Sequence, residues 1–204
     1  MSMIDPSLTG AHIADNLAAY EAARNAFFTF YVTGANTPDA NGVTFTDKLY
    51  EKTSGVFKSR ITKENLLSNL SLNITKSSVP QFSLTTLEYT RGNDKVKFAG
   101  IPTFDAGTLA VDDVVGLDTK TILMAWKELA YDPITRKGGR MKDYKKNCTL
   151  IEYTQDFEQV RSWTLYGCWI SKINEGDFDK ENDGKRQITA TIEYDRAEME
   201  LPTA

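Results

Sequence analysis

Glu175, Asp177, Asp179, Glu181 and Asp183 crowd into one polar segment, Asn174 to Gly184, whose only cation is Lys180. Carboxylates packed this closely could do two kinds of chemistry. Asp177, Asp179 and Glu181 have the alternate spacing of a calcium loop, but the run lacks the full ligand order that ends on a bidentate Glu. A carboxylate pair such as Asp177 and Glu181 could instead run acid–base hydrolysis. That needs one member raised in pKa by burial in a cleft, which a polar loop does not arrange alone. A solvated hairpin loop accounts for the run more simply than either.

Other reactive types are scarce. His12 is the one histidine, so a His-rich metal centre is excluded, and its place in the Ala-rich stretch 11–24 reads as an exposed helix position rather than a catalytic base. Cys148 and Cys168 lie twenty residues apart with no second pair, far from a zinc pattern. Reduced, partly buried thiols are the expected state, with a bridge between neighbouring strands as the alternative. Arg136, Lys137, Arg140, Lys142, Lys145 and Lys146 form a basic run, yet no Gly-x-x-x-x-Gly-Lys-Ser/Thr phosphate loop accompanies it. Such a run faces water or an acidic neighbour, and in an oligomer that neighbour could be segment 174–184 of another copy. Trp163, Tyr166 and Trp169 could stack on a ligand, but aromatic residues in strand alternation more often pack a sheet face. No catalytic residue, cofactor or metal ligand is therefore expected.

The elements that carry these residues follow from periodicity. Ile13, Leu17 and Tyr20 fall at helical spacing and predict an N-terminal helix over 11–24. The β-branched and aromatic run 27–33 predicts a strand with Phe28, Phe30 and Val32 inward. Residues 43–61, with a Ser54-Gly55 turn signal, read as a projecting hairpin. Thr62 caps a brief helix to Leu67, and the alternation of Leu70, Leu72 and Ile74 predicts a strand after it. Strands are expected at 82–89, around Val96 and Phe98, at 108–115, 147–153, 160–173 and 187–194. Between them the stripe Ile122, Leu123, Trp126 and Leu129 marks one helix over about 119–130, stopped near Asp132-Pro133 and capped by Asp118 or Thr119. The fold class is mainly β, an antiparallel sandwich or barrel with one embedded helix.

With 204 residues, 41% hydrophobic and 25% charged, the chain fits one domain with its own core. A net charge of −4 argues against a dedicated nucleic-acid binder. No apolar run approaches a membrane span, and the Met-Ser-Met-Ile-Asp-Pro start has no basic and apolar leader, so synthesis and retention in the cytoplasm is expected.

From Asn93 onward several short blocks occur in a familiar order. They are Asn93-Asp94-Lys95-Val96-Lys97-Phe98-Ala99-Gly100, Val115-Gly116-Leu117-Asp118, Ala125-Trp126 and Tyr131-Asp132-Pro133. Tyr144-Lys145-Lys146, Trp163-Thr164-Leu165-Tyr166-Gly167-Cys168-Trp169 and Tyr194-Asp195-Arg196-Ala197-Glu198 continue the series. Together, over residues 70–200, the chain resembles the tail-tube proteins of contractile-tailed bacteriophages; residues 1–62 carry the likeness poorly.

The resemblance implies a β-sandwich or barrel-like tube domain over 1–204, with 1–62 as a helix, strand and hairpin extension. It implies a non-enzymatic virion protein, made in a bacterial host, that polymerises as hexameric rings stacked into the channel for genome ejection. Its partners would be further copies of itself, the sheath, the baseplate and the tail terminator. Tape measure protein and DNA would pass through the lumen without specific binding, with no membrane contact. Tubes of this kind use a projecting loop to engage the next ring, and by that likeness Lys48, Tyr50, Lys52, Ser54, Gly55 and Lys58 are candidate inter-ring contacts. Deleting Lys48 to Lys58 would then leave a folded subunit that does not polymerise. The acidic run at Glu175, Asp177, Asp179, Glu181 and Asp183 is a candidate lumen or interface loop. The tube of a contractile injection system or tailocin is an alternative within the same architecture; a small β-rich hydrolase and an aromatic binding module on Trp163 and Trp169 are alternatives outside it.

Overall fold

The computed structural model describes residues 27–53, 62–114, 119–176 and 184–201. In chain order the first elements are β1 (Phe28–Thr33), α1 (Phe45–Lys52), α2 (Leu66–Leu72), β2 (Ile74–Ser77), β3 (Phe82–Arg91), β4 (Asp94–Phe104) and β5 (Gly107–Asp112). There follow α3 (Thr119–Ala130), β6 (Tyr131–Asp132), β7 (Lys137–Gly138), α4 (Met141–Tyr144), β8 (Lys146–Tyr153), β9 (Gln159–Asn174), β10 (Gln187–Glu193) and β11 (Arg196–Glu200).

Seven strands make one antiparallel sheet in the order β1-β8-β9-β10-β5-β2, with β11 also on β9. β9 is its spine. Ser162 to Tyr166 pairs with β11, and Trp169 to Asn174 pairs with β10, so β10 and β11 lie end to end along one side of it. The ladder to β8 slips between Lys146 and Cys148, where Gly167 takes φ 69°. A bulge with a left-handed glycine bends a strand and re-aims its side chains. Cβ growth there would also meet the Asp195 carboxylate at 2.3 Å.

Alternation decides which face is dry. Ile188, Ala190 and Ile192 of β10 point inward, as do Cys148 and Leu150 of β8. Against this face α3 lays Ile122, Leu123, Ala125 and Trp126, and the Trp126 ring meets Phe45 edge-on with centroids 5.6 Å apart. A fully buried side chain of this size contributes about 1.5–3 kcal/mol. β1 follows its expected pattern, with Phe30 buried and Phe28 and Val32 packed on the core. The thiols of Cys148 and Cys168 are free and fully buried on neighbouring strands, deeper than the partial burial the sequence implied. Burial, then the adjacent Cys168 thiol, pushes the Cys148 thiol well up.

Three local expectations are corrected. Residues 45–52, expected within a projecting hairpin, form α1, because Thr44 and Asp47 make a capping box and Phe45 and Leu49 bury one face. Deleting Lys48 to Lys58 would therefore remove the buried Leu49 and damage the core, not merely a loop. Leu70 and Leu72, expected in a strand, end α2: Leu66 and Leu70 are buried at i, i+4 and Leu72 faces water, with strand geometry beginning at Ile74. Among the described residues the projecting hairpin is β3–β4, and the expected Ser54-Gly55 turn lies outside them. The expected N-terminal helix with His12, and the cap at Asp118, lie outside the described residues.

Candidate assembly surface

β2 and β5 do not end where their ladder does. The Ser78 amide donates to the Thr108 carbonyl at 2.9 Å, the Thr108 amide donates to Ser78 Oγ at 2.8 Å, and the Asp105 amide donates to the Gln81 carbonyl at 3.1 Å. The two strands thus run on into β3 and β4 as one ribbon that leaves the body as an arm. Its root is pinned by rings: Phe104 lies 6.1 Å from Tyr194 and 5.7 Å from Phe82, and the Gln81 amide donates to the Tyr194 hydroxyl.

At the tip Gly92, with φ 67°, takes the first place of a two-residue loop, the position a type II′ turn gives to glycine. Midway, Gly100 and Ile101 stand opposite Thr85. A Cβ at Gly100 would lie 2.3 Å from the Thr85 hydroxyl and 2.8 Å from its carbonyl oxygen, so this bulge needs glycine.

Beyond the bulge the ribbon is two-faced. Leu87 and Tyr89 stand directly opposite Phe98 and Val96 on one face, and Glu88, Thr90, Lys95 and Lys97 occupy the other. Leu87, Tyr89 and Phe98 are 59%, 65% and 56% exposed. A contiguous apolar patch on a ribbon standing in water marks a binding surface.

The body offers an open edge. Among the described residues β11 pairs with β9 alone, and Met199 and Leu201, on the face whose Ala197 reaches the core, are 57% and 68% exposed. On the other face the Arg196 guanidinium covers the Tyr166 ring at 4.6 Å and pairs with Glu198 at 3.2 Å, and the Tyr166 hydroxyl donates to Glu198 at 3.0 Å.

Of the side chains expected at contacts from sequence, the described ones are held within the chain. Lys48 sits between Asp39 and Asp143 at 2.9 and 2.8 Å, Lys52 pairs with Asp132 at 2.7 Å, and Tyr50 packs on the core under Lys63. Ser54, Gly55 and Lys58 lie outside the described residues. Glu175 pairs with Lys120 and Arg186 of its own chain, and Asp177, Asp179, Glu181 and Asp183 lie outside the described residues. Of the basic run, Lys145 pairs with Asp195 at 2.7 Å, Lys146 lies over the Phe45 ring, and Arg136, Lys137, Arg140 and Lys142 are exposed. The aromatic trio does not form a platform: Trp163 packs on the core, Tyr166 is under Arg196, and Trp169 meets Tyr144 edge-on.

An open cavity of about 450 Å³ lies among Asp39, Lys48, Lys52, Asp132, Arg140 and Asp143. Two of its carboxylates, Asp39 and Asp132, are shifted away from acid–base work. The Lys48 ammonium and the amides of Val43 and Asn41 lower Asp39 to about 2, and the Lys52 ammonium, with the amides of Thr135 and Ile134, holds Asp132 lower still. A general acid needs the opposite shift. Among the described residues no three His, Cys, Asp or Glu side chains are grouped to hold a metal, and no helix is long and apolar enough to cross a membrane.

The family model described as T4-like virus tail tube protein gp19 matches residues 57–198. Tail tube protein gp19 of Enterobacteria phage T4 is 27% identical over 109 residues, which is 50% of this chain and 66% of that protein. The same protein of Enterobacteria phage T6 matches equally, at 27% over 109 residues. The match spans a little under two thirds of these relatives' length. Among solved structures, a chain of the PVC sheath-tube complex of an extracellular contractile injection system, in its extended state, superposes with a TM-score of 0.59. It is 16% identical, with 96% of this chain and 100% of that one covered. A chain of the anti-feeding prophage baseplate superposes with a TM-score of 0.54 at 13% identity, covering 89% of this chain and 97% of that one. At these identities the likeness is one of fold, a mainly antiparallel β fold with an embedded helix.

Proposed function

The chain belongs to the T4-like virus tail tube protein gp19 family, and on that premise we propose that it is a structural subunit of the inner tube of a contractile phage tail, stacking as hexameric rings around the channel for genome ejection. The observation that carries this reading is the β3–β4 arm. Its tip leaves Leu87, Tyr89, Val96 and Phe98 in water, a surface that costs free energy in a monomer and becomes stabilising when another copy covers it. Further copies, the sheath, the baseplate and the tail terminator are its partners in the virion. The net charge of −4 supports a lumen through which tape measure protein and DNA pass without sticking.

The inter-ring role of Lys48, Tyr50, Lys52, Ser54, Gly55 and Lys58, and the lumen or interface role of Glu175, Asp177, Asp179, Glu181 and Asp183, stay within the proposal. Lys48 and Lys52, already paired within the chain, contribute less than an unpaired cation would, because a new contact must first displace Asp39, Asp143 or Asp132. Lys120, the main cause, holds the Glu175 carboxyl below its ordinary value, the opposite of what a general acid needs at that position. The likeness in fold to injection-system structures supports a second reading, a tube that conducts cargo other than a genome, and the neighbouring genes separate the two.

Negative-stain electron microscopy of the purified protein, alone and with baseplate extract, tests the proposal. Stacked rings with a continuous central channel are the expected result. Dispersed monomers in both conditions would overturn it.

A further inference from the structure

We infer that the arm of one copy docks on the open edge of β11 in a second copy, extending that copy's sheet through β4. This deepens the tube reading and rests on it. Four observations converge on the same pairing.

The first is the supply of edges. In the body, the outer edge of β1 is approached by α2 and β2, whereas β11 has β9 on one side and, among the described residues, no strand on the other. An unpaired strand edge invites another strand, and proteins that leave one uncovered commonly use it for association. The arm is the corresponding donor, a ribbon whose two outer edges are also unpaired among the described residues.

The second is that the faces agree. Side chains alternate across a strand, so a strand added to β11 must place its apolar residues on the side of Ala197, Met199 and Leu201. Val96 and Phe98 alternate with Lys95 and Lys97 along β4, as Met199 alternates with Glu198 and Glu200 along β11. One register therefore buries the apolar sets together and sets the charged sets side by side.

The third is charge. On the arm, Lys95 and Lys97 share one carboxylate, Glu88, at 3.5 and 3.6 Å. On β11, Arg196 pairs with Glu198 at 3.2 Å, and Glu200 is exposed on the same face. Each side carries one surplus charge, positive on the arm and negative on the edge, so contact neutralises both. The fourth is symmetry: arm and edge are different surfaces, so the contact is head-to-tail, and repeated head-to-tail contacts close into rings or run on as filaments.

Disulfide trapping in assembled protein tests the contact. Lys95→Cys and Glu200→Cys are combined in one chain, and the two native thiols, being fully buried, add little background. Copper-phenanthroline takes two electrons from each thiol pair, releasing two protons as the S–S bond forms. A ladder of covalent multimers beyond the dimer is expected from the double variant and none from either single variant. Separately, Lys95→Glu with Lys97→Glu should lower the pelleted, assembled fraction about tenfold, and adding Glu198→Lys with Glu200→Lys should restore it. Rings that form without a ladder and tolerate the charge reversal would overturn the β11 contact and leave the tube reading standing. Failure of the unaltered chain to assemble in any condition would overturn both.

Discussion

The indole Nε1 of Trp126 donates a 2.8 Å hydrogen bond to the carbonyl oxygen of Tyr144, joining the buried helix α3 to the end of α4. Trp126→Phe removes the donor, strands that carbonyl and leaves a void where the second ring stood. The expected loss is about 2–4 kcal/mol. Urea unfolding with an unchanged slope would measure it; a loss below about 0.5 kcal/mol would mean that the bond matters little.

Gly139 and Gly138 are neighbours with opposite tolerances. A Cβ on Gly139 would stand 1.8 Å from the Leu129 carbonyl oxygen, while one on Gly138 meets nothing within 4 Å. Gly139→Ala must push the backbone away from α3 and should cost more than about 2 kcal/mol, and Gly138→Ala should stay within about 0.5 kcal/mol. Thermal unfolding of the pair gives the comparison directly.

Acid should loosen the surface around α1. Asp39 and Asp47 fall from 3.8 to about 2, Asp39 chiefly through Lys48 and Asp47 chiefly through Lys63, with Asp132 lowered in the same sense. A carboxylate lowered on folding contributes stability that is fully present above its unfolded value and lost as pH falls through the folded one. The unfolding midpoint should therefore decline between about pH 4 and pH 2. Asp39→Asn with Asp47→Asn should flatten that decline, and an unaltered pH profile in the double variant would remove these pairs as its cause.

The apolar tip serves association, not folding. Leu87→Ser with Phe98→Ser should shift unfolding by about 0.5 kcal/mol or less, as surface changes do, while abolishing sedimentable assemblies. Loss of both stability and assembly would show instead that the arm supports the body.

Cys148 and Cys168 are free, buried and, for Cys148, raised in pKa by that burial. Both should resist a thiol reagent in the folded chain and react fully in denaturant. Rapid labelling of the native protein would place one of them at the surface.

What was legible in the sequence was whatever repeats. Ile122, Leu123 and Trp126 gave α3 to within a residue of its ends, and the alternation of Ile188, Ala190 and Ile192 gave β10. The misreadings at 45–52 and 70–72 share a cause. Phe45 and Leu49, or Leu66 and Leu70, are only one helical turn each, and a single i, i+4 pair looks like strand alternation until burial shows which residues are dry. The Thr44–Asp47 capping box was the available signal for α1. The arm was visible as two strands around Gly92-Asn93, but not as a surface: alternation says that Leu87 and Phe98 share a face, and cannot say that the body leaves that face uncovered. Of the candidate contacts, Lys48 and Lys52 sit on α1, where they pair with Asp39, Asp143 and Asp132 of their own chain, a pairing that spacing alone does not reveal.

β9 belongs to both halves of the sheet, taking β11 along one stretch and β10 along the next, with β5 and then the arm beyond. Tension along β9 is carried by covalent bonds and shears many ladder bonds at once. A pull directed across the strands instead loads the rungs in series, and they give way row by row. The subunit is thus a stiff spar along β9 and a more compliant strap across it.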